Sequence, residues 1–197
     1  MKYCIRKVPE RNTKYLERLL PEAVVVSDVN HNGAIWSFLK AIEIVDDDCI
    51  YIQDDMLLCK DFKTRAESYV KQYPDDIISF SSQWQYSHNI TQEGFDNKCA
   101  LWVMCVYIPK DIAMSFKRFM LAEGYKQFYR WQKFIEGQAD DTMLERFYFR
   151  ILKGSVFNTK PSLAGHGSIE SFIDKSRGLR PSPMFDYDNA EPKLDGE

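Results

Sequence analysis

The stretch Ile50-Tyr51-Ile52-Gln53-Asp54-Asp55-Met56-Leu57-Leu58 runs apolar, breaks at two adjacent carboxylates and turns apolar again. A strand buried on both faces of a parallel sheet reads as a continuous apolar run, so Asp54 and Asp55 fit a strand that has just left such a sheet. In open α/β sheets the ligand crevice lies beyond the carboxyl ends of the strands, and carboxylates there can hold a hard cation against a diphosphate. An acidic turn after a core strand is the plainer reading of two residues taken alone.

Upstream, strands and helices alternate. Tyr3 to Lys7 is expected as a short strand, Thr13 to Leu20 as a helix stopped by Pro21, and Ala23 to Ser27 as a valine-rich strand ending at Asp28. A loop over 30–33 leads to Ala34 to Val45, where Ile35, Phe38, Leu39, Ile42 and Val45 share one helical face. Right-handed crossovers set Arg6, Asp28 and Asp55 on one rim of a parallel sheet, a nucleotide-sized crevice. Ordinary loop charges would read the same at Arg6 and Asp28.

Downstream, Phe62 to Tyr73 is an amphipathic helix closed by Pro74, and Asp76 to Phe80 is a strand. The polar-aromatic stretch that follows contains Trp84 and Tyr86, whose rings suit a sugar, a base or plain packing. A strand is expected over Cys99 to Ile108 and a helix from Pro109 to about Glu123. Residues 124–138 mix Tyr129 and Trp131 with lysine and arginine, a pattern of an acceptor surface or of a helix with an aromatic core face. Asp140 and Asp141 precede a helix expected over Thr142 to Lys153, where capping and the helix dipole account for acids. A strand from Val156 leads towards a Gly165-His166-Gly167 turn whose small neighbours leave the imidazole accessible; a lone loop histidine is the commoner case.

The chain has 197 residues and 45% hydrophobic content, enough for one domain with its own core. No apolar run approaches the about 20 residues of a membrane span, and the opening residues lack an apolar signal region, so a cytoplasmic protein without a membrane span is expected. Five cysteines without a Cys-x-x-Cys spacing read as reduced core thiols, and three histidines away from them disfavour structural zinc. The net charge of −3 divides unevenly: residues 1–109 carry −4, residues 110–180 carry +5 and residues 181–197 carry −4. The basic segment suits a phosphate-bearing partner or is simply a solvated face. Residues 186–197 read as an acidic flexible tail after a domain over 1–185.

The order of these motifs resembles small glycosyltransferases of the GT-A fold: a βαβ start, an acidic strand end, an acid pair opening a late helix, and Pro161-Ser162-Leu163 followed by His166. The resemblance covers residues 1 to about 185. It implies a Rossmann-like α/β domain whose mixed, mostly parallel sheet is flanked by helices. It also implies an enzyme, a hexosyltransferase moving sugar from a nucleoside-diphosphate donor, UDP-sugar favoured, to an acceptor hydroxyl with inversion. The family's strand-end motif is Asp-x-Asp or Glu-Asp-Asp; here it is Gln53-Asp54-Asp55, with an amide where the family has an acid. By that match Asp55 and His166 are the ligands of Mn²⁺ or Mg²⁺, Asp54 faces the ribose or the metal, and Asp141 is the catalytic base with Asp140 in reserve. Arg6, Asp28, Gly33, Arg177 and Arg180 match donor-binding regions by position. Trp84, Tyr86, Tyr129 and Trp131 are the candidate acceptor contacts. No obligate protein partner is implied. The compact chain is similar to phage enzymes, which points to a hydroxymethylated DNA base as acceptor beside a saccharide or protein. A nucleotidyltransferase, which would usually carry a Gly-rich phosphate loop not evident here, and an inactive GT-A binding module are the alternatives.

Overall fold

A computed structural model of the chain describes residues 1–81, 93–96, 103–127, 140–167, 182 and 184–196. Strands β1 (Lys2–Lys7), β2 (Val24–Ser27) and β3 (Cys49–Gln53) alternate with helices α1 (Lys14–Leu19) and α2 (Ala34–Val45). Then come β4 (Met56–Leu58), α3 (Phe62–Gln72), β5 (Ile78–Ser79), β6 (Gly94–Asp96), β7 (Cys105–Ile108) and α4 (Lys110–Leu121). Helix α5 (Asp140–Arg146), β8 (Val156–Asn158) and β9 (Ala164–His166) complete the regular elements that bear on the site.

Seven strands form one sheet in the order β2-β1-β3-β7-β5-β8-β6. β1 is parallel to β2 and β3, and β5 is parallel to β8, while β7 and β6 run antiparallel to their neighbours. The sheet is therefore mixed, with most strands pointing one way, and helices cover both faces. Strand alternation decides which layer each side chain enters. Tyr3, Ile5, Ile50 and Ile52 pack with Leu16 of α1 and Phe62, Ala66 and Val70 of α3. Cys4, Cys49 and Tyr51 pack with Phe38 and Ile42 of α2, Phe116 of α4, and Met143 and Leu144 of α5. The Phe38 ring meets Tyr51 edge-on at 5.2 Å and Phe116 at 5.8 Å; burying a ring of this size contributes about 2–3 kcal/mol. Cys4, Cys49, Cys59 and Cys105 are free and buried.

The expected elements differ from the observed ones in four places. Asp54 and Asp55 form the turn between β3 and β4, and β4 leaves the main sheet to pair antiparallel with β9. The strand expected over 99–108 is described from Cys105 onward and runs against its neighbours. The helix expected to start at Thr142 begins at Asp140, and after Arg146 it widens into a π-helical turn over Phe147–Ile151. The acidic end, expected as a loose tail, is held by main-chain bonds: Lys60 N–H donates to Asn189 O at 2.9 Å and Glu191 N–H to Leu58 O at 2.8 Å. Among the described residues no helix is long and apolar enough to cross a membrane.

Candidate functional site

The carboxyl ends of β2, β1 and β3 share one rim, because the parallel register sets Arg6 beside Val26 and Gln53. Gln53 leads directly into Asp54 and Asp55, so the acidic turn lies at this rim. One Asp54 oxygen accepts from Val8 N–H, just past β1, at 3.0 Å. Burial, aided by the neighbouring Asp55 charge, pushes the Asp54 carboxyl up to about 6.

His166 reaches the same turn from the opposite end of the chain. It pairs with Met56 across the β4–β9 ribbon, and the next residue, Gly167, donates its N–H to Asp55 O at 2.7 Å. Its Nε2 lies 3.3 Å from Asp55 Oδ2, and both side chains are 12% exposed. The second carboxylate oxygen, Asp55 Oδ1, is buried and has no hydrogen-bond partner among the described residues. Nδ1 of His166 lies 3.0 Å from Gly167 O. A carbonyl only accepts, so Nδ1 carries the hydrogen, and in the neutral ring Nε2 then presents its lone pair. A lone pair aimed at a carboxylate calls for a positive charge between or upon them, a proton or a cation. Locking the imidazole through its other nitrogen is how protein-bound metal ligands are oriented. An oxygen and an imidazole nitrogen suit a first-row ion such as Mn²⁺ better than Mg²⁺, which prefers oxygen ligands and retains water. These two residues therefore fit a divalent ion as part of its shell, the rest coming from water and substrate. Among the described residues no group of three or more candidate ligand side chains is found.

Both glycines of the Gly165-His166-Gly167 turn have steric reasons. A Cβ on Gly167 would lie 2.7 Å from Asp55 O, and one on Gly165 would lie 2.4 Å from the Phe185 ring. Their smallness lets the Asp55 turn and Phe185 approach the strand, which differs from the ligand access expected from sequence.

The second acid pair meets the rim through Arg6. Arg6 Nη1 donates to Asp140 Oδ2 at 2.7 Å, Nη2 donates to Val103 O at 2.8 Å, and the guanidinium lies 4.9 Å from the centre of the Phe38 ring. This ion pair is almost fully enclosed, with side chains 4% and 6% exposed. Arg6, expected to face the donor, is instead committed to Asp140. Strand alternation turns it into the α2–α5 layer together with Cys4. Asp140, expected as the reserve base, accepts Arg6 on one oxygen and the Asp141 N–H on the other at 2.9 Å. Asp141 is only half-buried, and its Oδ1 accepts Thr142 N–H at 2.6 Å. Burial and the adjacent Asp140 charge push the Asp141 carboxyl up to about 6.

Asp28 and Gly33, two further donor-side candidates, bind each other. Asp28 accepts Asn32 N–H and side-chain N–H on Oδ1 and Gly33 N–H on Oδ2, at 2.8–3.0 Å. Burial opposes its charge, but these bonds outweigh it and hold the carboxyl below its ordinary range. Gly33 has φ of 104°, a left-handed backbone that favours glycine at the start of α2. Trp84, Tyr86, Tyr129, Trp131, Arg177 and Arg180 lie outside the described residues. The Arg6–Asp140 pair and the glycine contacts escaped the sequence reading, the first because its partners stand 134 residues apart with no local signal.

No family model matches the chain, and no curated protein matches it in sequence. Its fold is similar to the crystal structure of A197 from STIV, with a TM-score of 0.53 and 13% identity over 99% of this chain and 100% of that one. At that identity the likeness concerns the fold alone.

Proposed function

We propose that the chain is a metal-dependent glycosyltransferase of GT-A type, moving a sugar from a nucleoside-diphosphate donor to an acceptor hydroxyl. The observation that carries the reading is the meeting of Asp55 and His166: two electron-pair donors converge at the end of a sheet strand, with Asp55 Oδ1 buried and without a hydrogen-bond partner among the described residues. A divalent ion held there supplies charge to the leaving diphosphate. Asp55 and His166 hold that charge in place, and their enclosure keeps competing water from the donor phosphates.

The acceptor hydroxyl must lose its proton as it attacks, and a carboxylate near neutrality in its affinity for protons suits that role. The two adjacent acids divide the work. Asp140 is ion-paired with Arg6 and enclosed, so it is structural. Asp141 is raised to about 6 by burial and by Asp140, and it keeps an open surface. Asp141 is therefore the base, and Asp54, hydrogen-bonded to Val8 behind the ligand residue, shapes the turn. A base opposite the leaving group implies inversion.

The deciding experiment offers a panel of sugar nucleotides to the protein with Mn²⁺, with Mg²⁺ and with chelator, and measures release of nucleoside diphosphate. Metal-dependent release that Asp55→Ala abolishes supports the transferase. Release of pyrophosphate from nucleoside triphosphates would favour nucleotidyl transfer, and donor binding without turnover would favour an inactive module.

A further inference from the structure

Ser182 and residues 184–191 grip the ribbon that carries both proposed ligand residues. His166 N–H donates to Ser182 Oγ at 3.0 Å, Ser182 N–H donates to the Tyr187 hydroxyl oxygen at 2.9 Å, and that hydroxyl donates to His166 O at 3.1 Å. The three bonds close a ring through both main-chain groups of His166. With Nδ1 engaged by Gly167 O, every polar atom of His166 except Nε2 is held, and Nε2 is the atom facing Asp55. Phe185 lies against Gly165 and meets the Tyr187 ring edge-on at 4.9 Å. Ser162 N–H donates to Met184 O at 2.9 Å. Beyond Tyr187 the same segment crosses to β4. Asn189 O and Glu191 N bond to Lys60 and Leu58, and Ala190 bridges Cys59 antiparallel. The Tyr15 hydroxyl ties Glu191 O to the domain at 3.2 Å.

We infer that Ser182 together with residues 184–191 forms a clasp that sets the pose of His166 relative to Asp55, with Tyr187 as its positioning residue. This rests on the reading of Asp55 and His166 as cation ligands. Hydrogen bonds behind a metal ligand fix its orientation, and losing one typically weakens metal affinity about 10- to 100-fold. The ring made by Ser182 and Tyr187 acts on the main chain of His166, so the whole residue is held as well as its imidazole. The full chain is titrated with Mn²⁺ and the free ion is followed by electron paramagnetic resonance, for wild type, Asp55→Ala, Tyr187→Phe and Tyr107→Phe. Tyr107 is the control: its hydroxyl donates to Pro74 O at 2.7 Å, so Tyr107→Phe removes a tyrosine hydrogen bond that does not involve the ribbon. Expected are loss of binding in Asp55→Ala, a dissociation constant raised about tenfold in Tyr187→Phe, and no change in Tyr107→Phe. Wild-type affinity in Tyr187→Phe beside a dead Asp55→Ala overturns the clasp and leaves the metal reading intact. An equal loss in both tyrosine variants overturns it too, since that is a general effect of stability. No Mn²⁺ binding by wild type, or full binding by Asp55→Ala, removes the metal reading and the clasp with it. Should Tyr187→Phe fail to fold, Ser182→Ala removes the acceptor of the His166 amide and carries the same expectation.

Discussion

Asp141 carries two opposite pH effects. With its carboxyl raised from an ordinary 3.8 to about 6, the folded chain between those values binds a proton that the unfolded chain has released. This group therefore favours folding least above pH 6, where its buried charge is a cost, and the cost vanishes below about pH 4. Asp141→Asn should raise stability by about 1–2 kcal/mol at pH 8, a few degrees in melting temperature, with the gain fading towards pH 4. If Asp141 is the base of the proposed transfer, the same change should lower sugar transfer by about 10²-fold or more while donor binding persists, and wild-type turnover should fall as pH drops through 6. Thermal melts and product release across the pH range check both. Arg6→Met leaves Asp140 enclosed without a counter-charge and should cost about 3–5 kcal/mol in urea unfolding; Arg6→Met with Asp140→Leu should recover most of it. The carboxylates and the histidine were legible as residue types in the sequence because strand ends and helix starts have local signatures. Their relationships were not, because Arg6 finds Asp140 through tertiary packing that no local pattern encodes.

At the level of elements, the βαβ start was readable to within a residue or two, since valine-rich strands and a helical stripe such as Ala34–Val45 repeat with clear periods. The β4–β9 ribbon was hidden. Met56–Leu58 and Ala164–His166 are three residues each, too short for a period, and their pairing partner is more than 100 positions away. That ribbon sets the distance between Asp55 and His166. Gly167→Ala would put a Cβ 2.7 Å from Asp55 O, forcing the turn and the strand apart. Heat stabilisation by Mn²⁺ with a nucleoside diphosphate should disappear in this variant, while circular dichroism retains the wild-type helix and sheet content.

Across the whole molecule, on the proposed function the segment of net +5 over 110–180 is the region to test against an acceptor. If the acceptor is a hydroxymethylated base in duplex DNA, the base must leave the stack to present its hydroxyl, and phosphate contacts make binding fall steeply with salt. Incubation with donor and hydroxymethylated DNA, followed by digestion to nucleosides, should then give a hexose mass increment. Its absence with donors that the protein demonstrably hydrolyses leaves a saccharide or protein acceptor, for which salt matters little.

The long reach of these contacts also shapes how the chain matures. β1, β2 and β3 are complete by residue 53 and joined by short crossovers, so they can meet early in synthesis, which proceeds from the N-terminus. Arg6 must then wait for Asp140, Asp55 for His166, and Tyr15 for Glu191, which lies 176 positions on. Closing such distant pairings is slow compared with local helix formation. The first half of the newborn protein thus assembles a scaffold, and the proposed centre is complete only once His166 and the segment around Glu191 have been made.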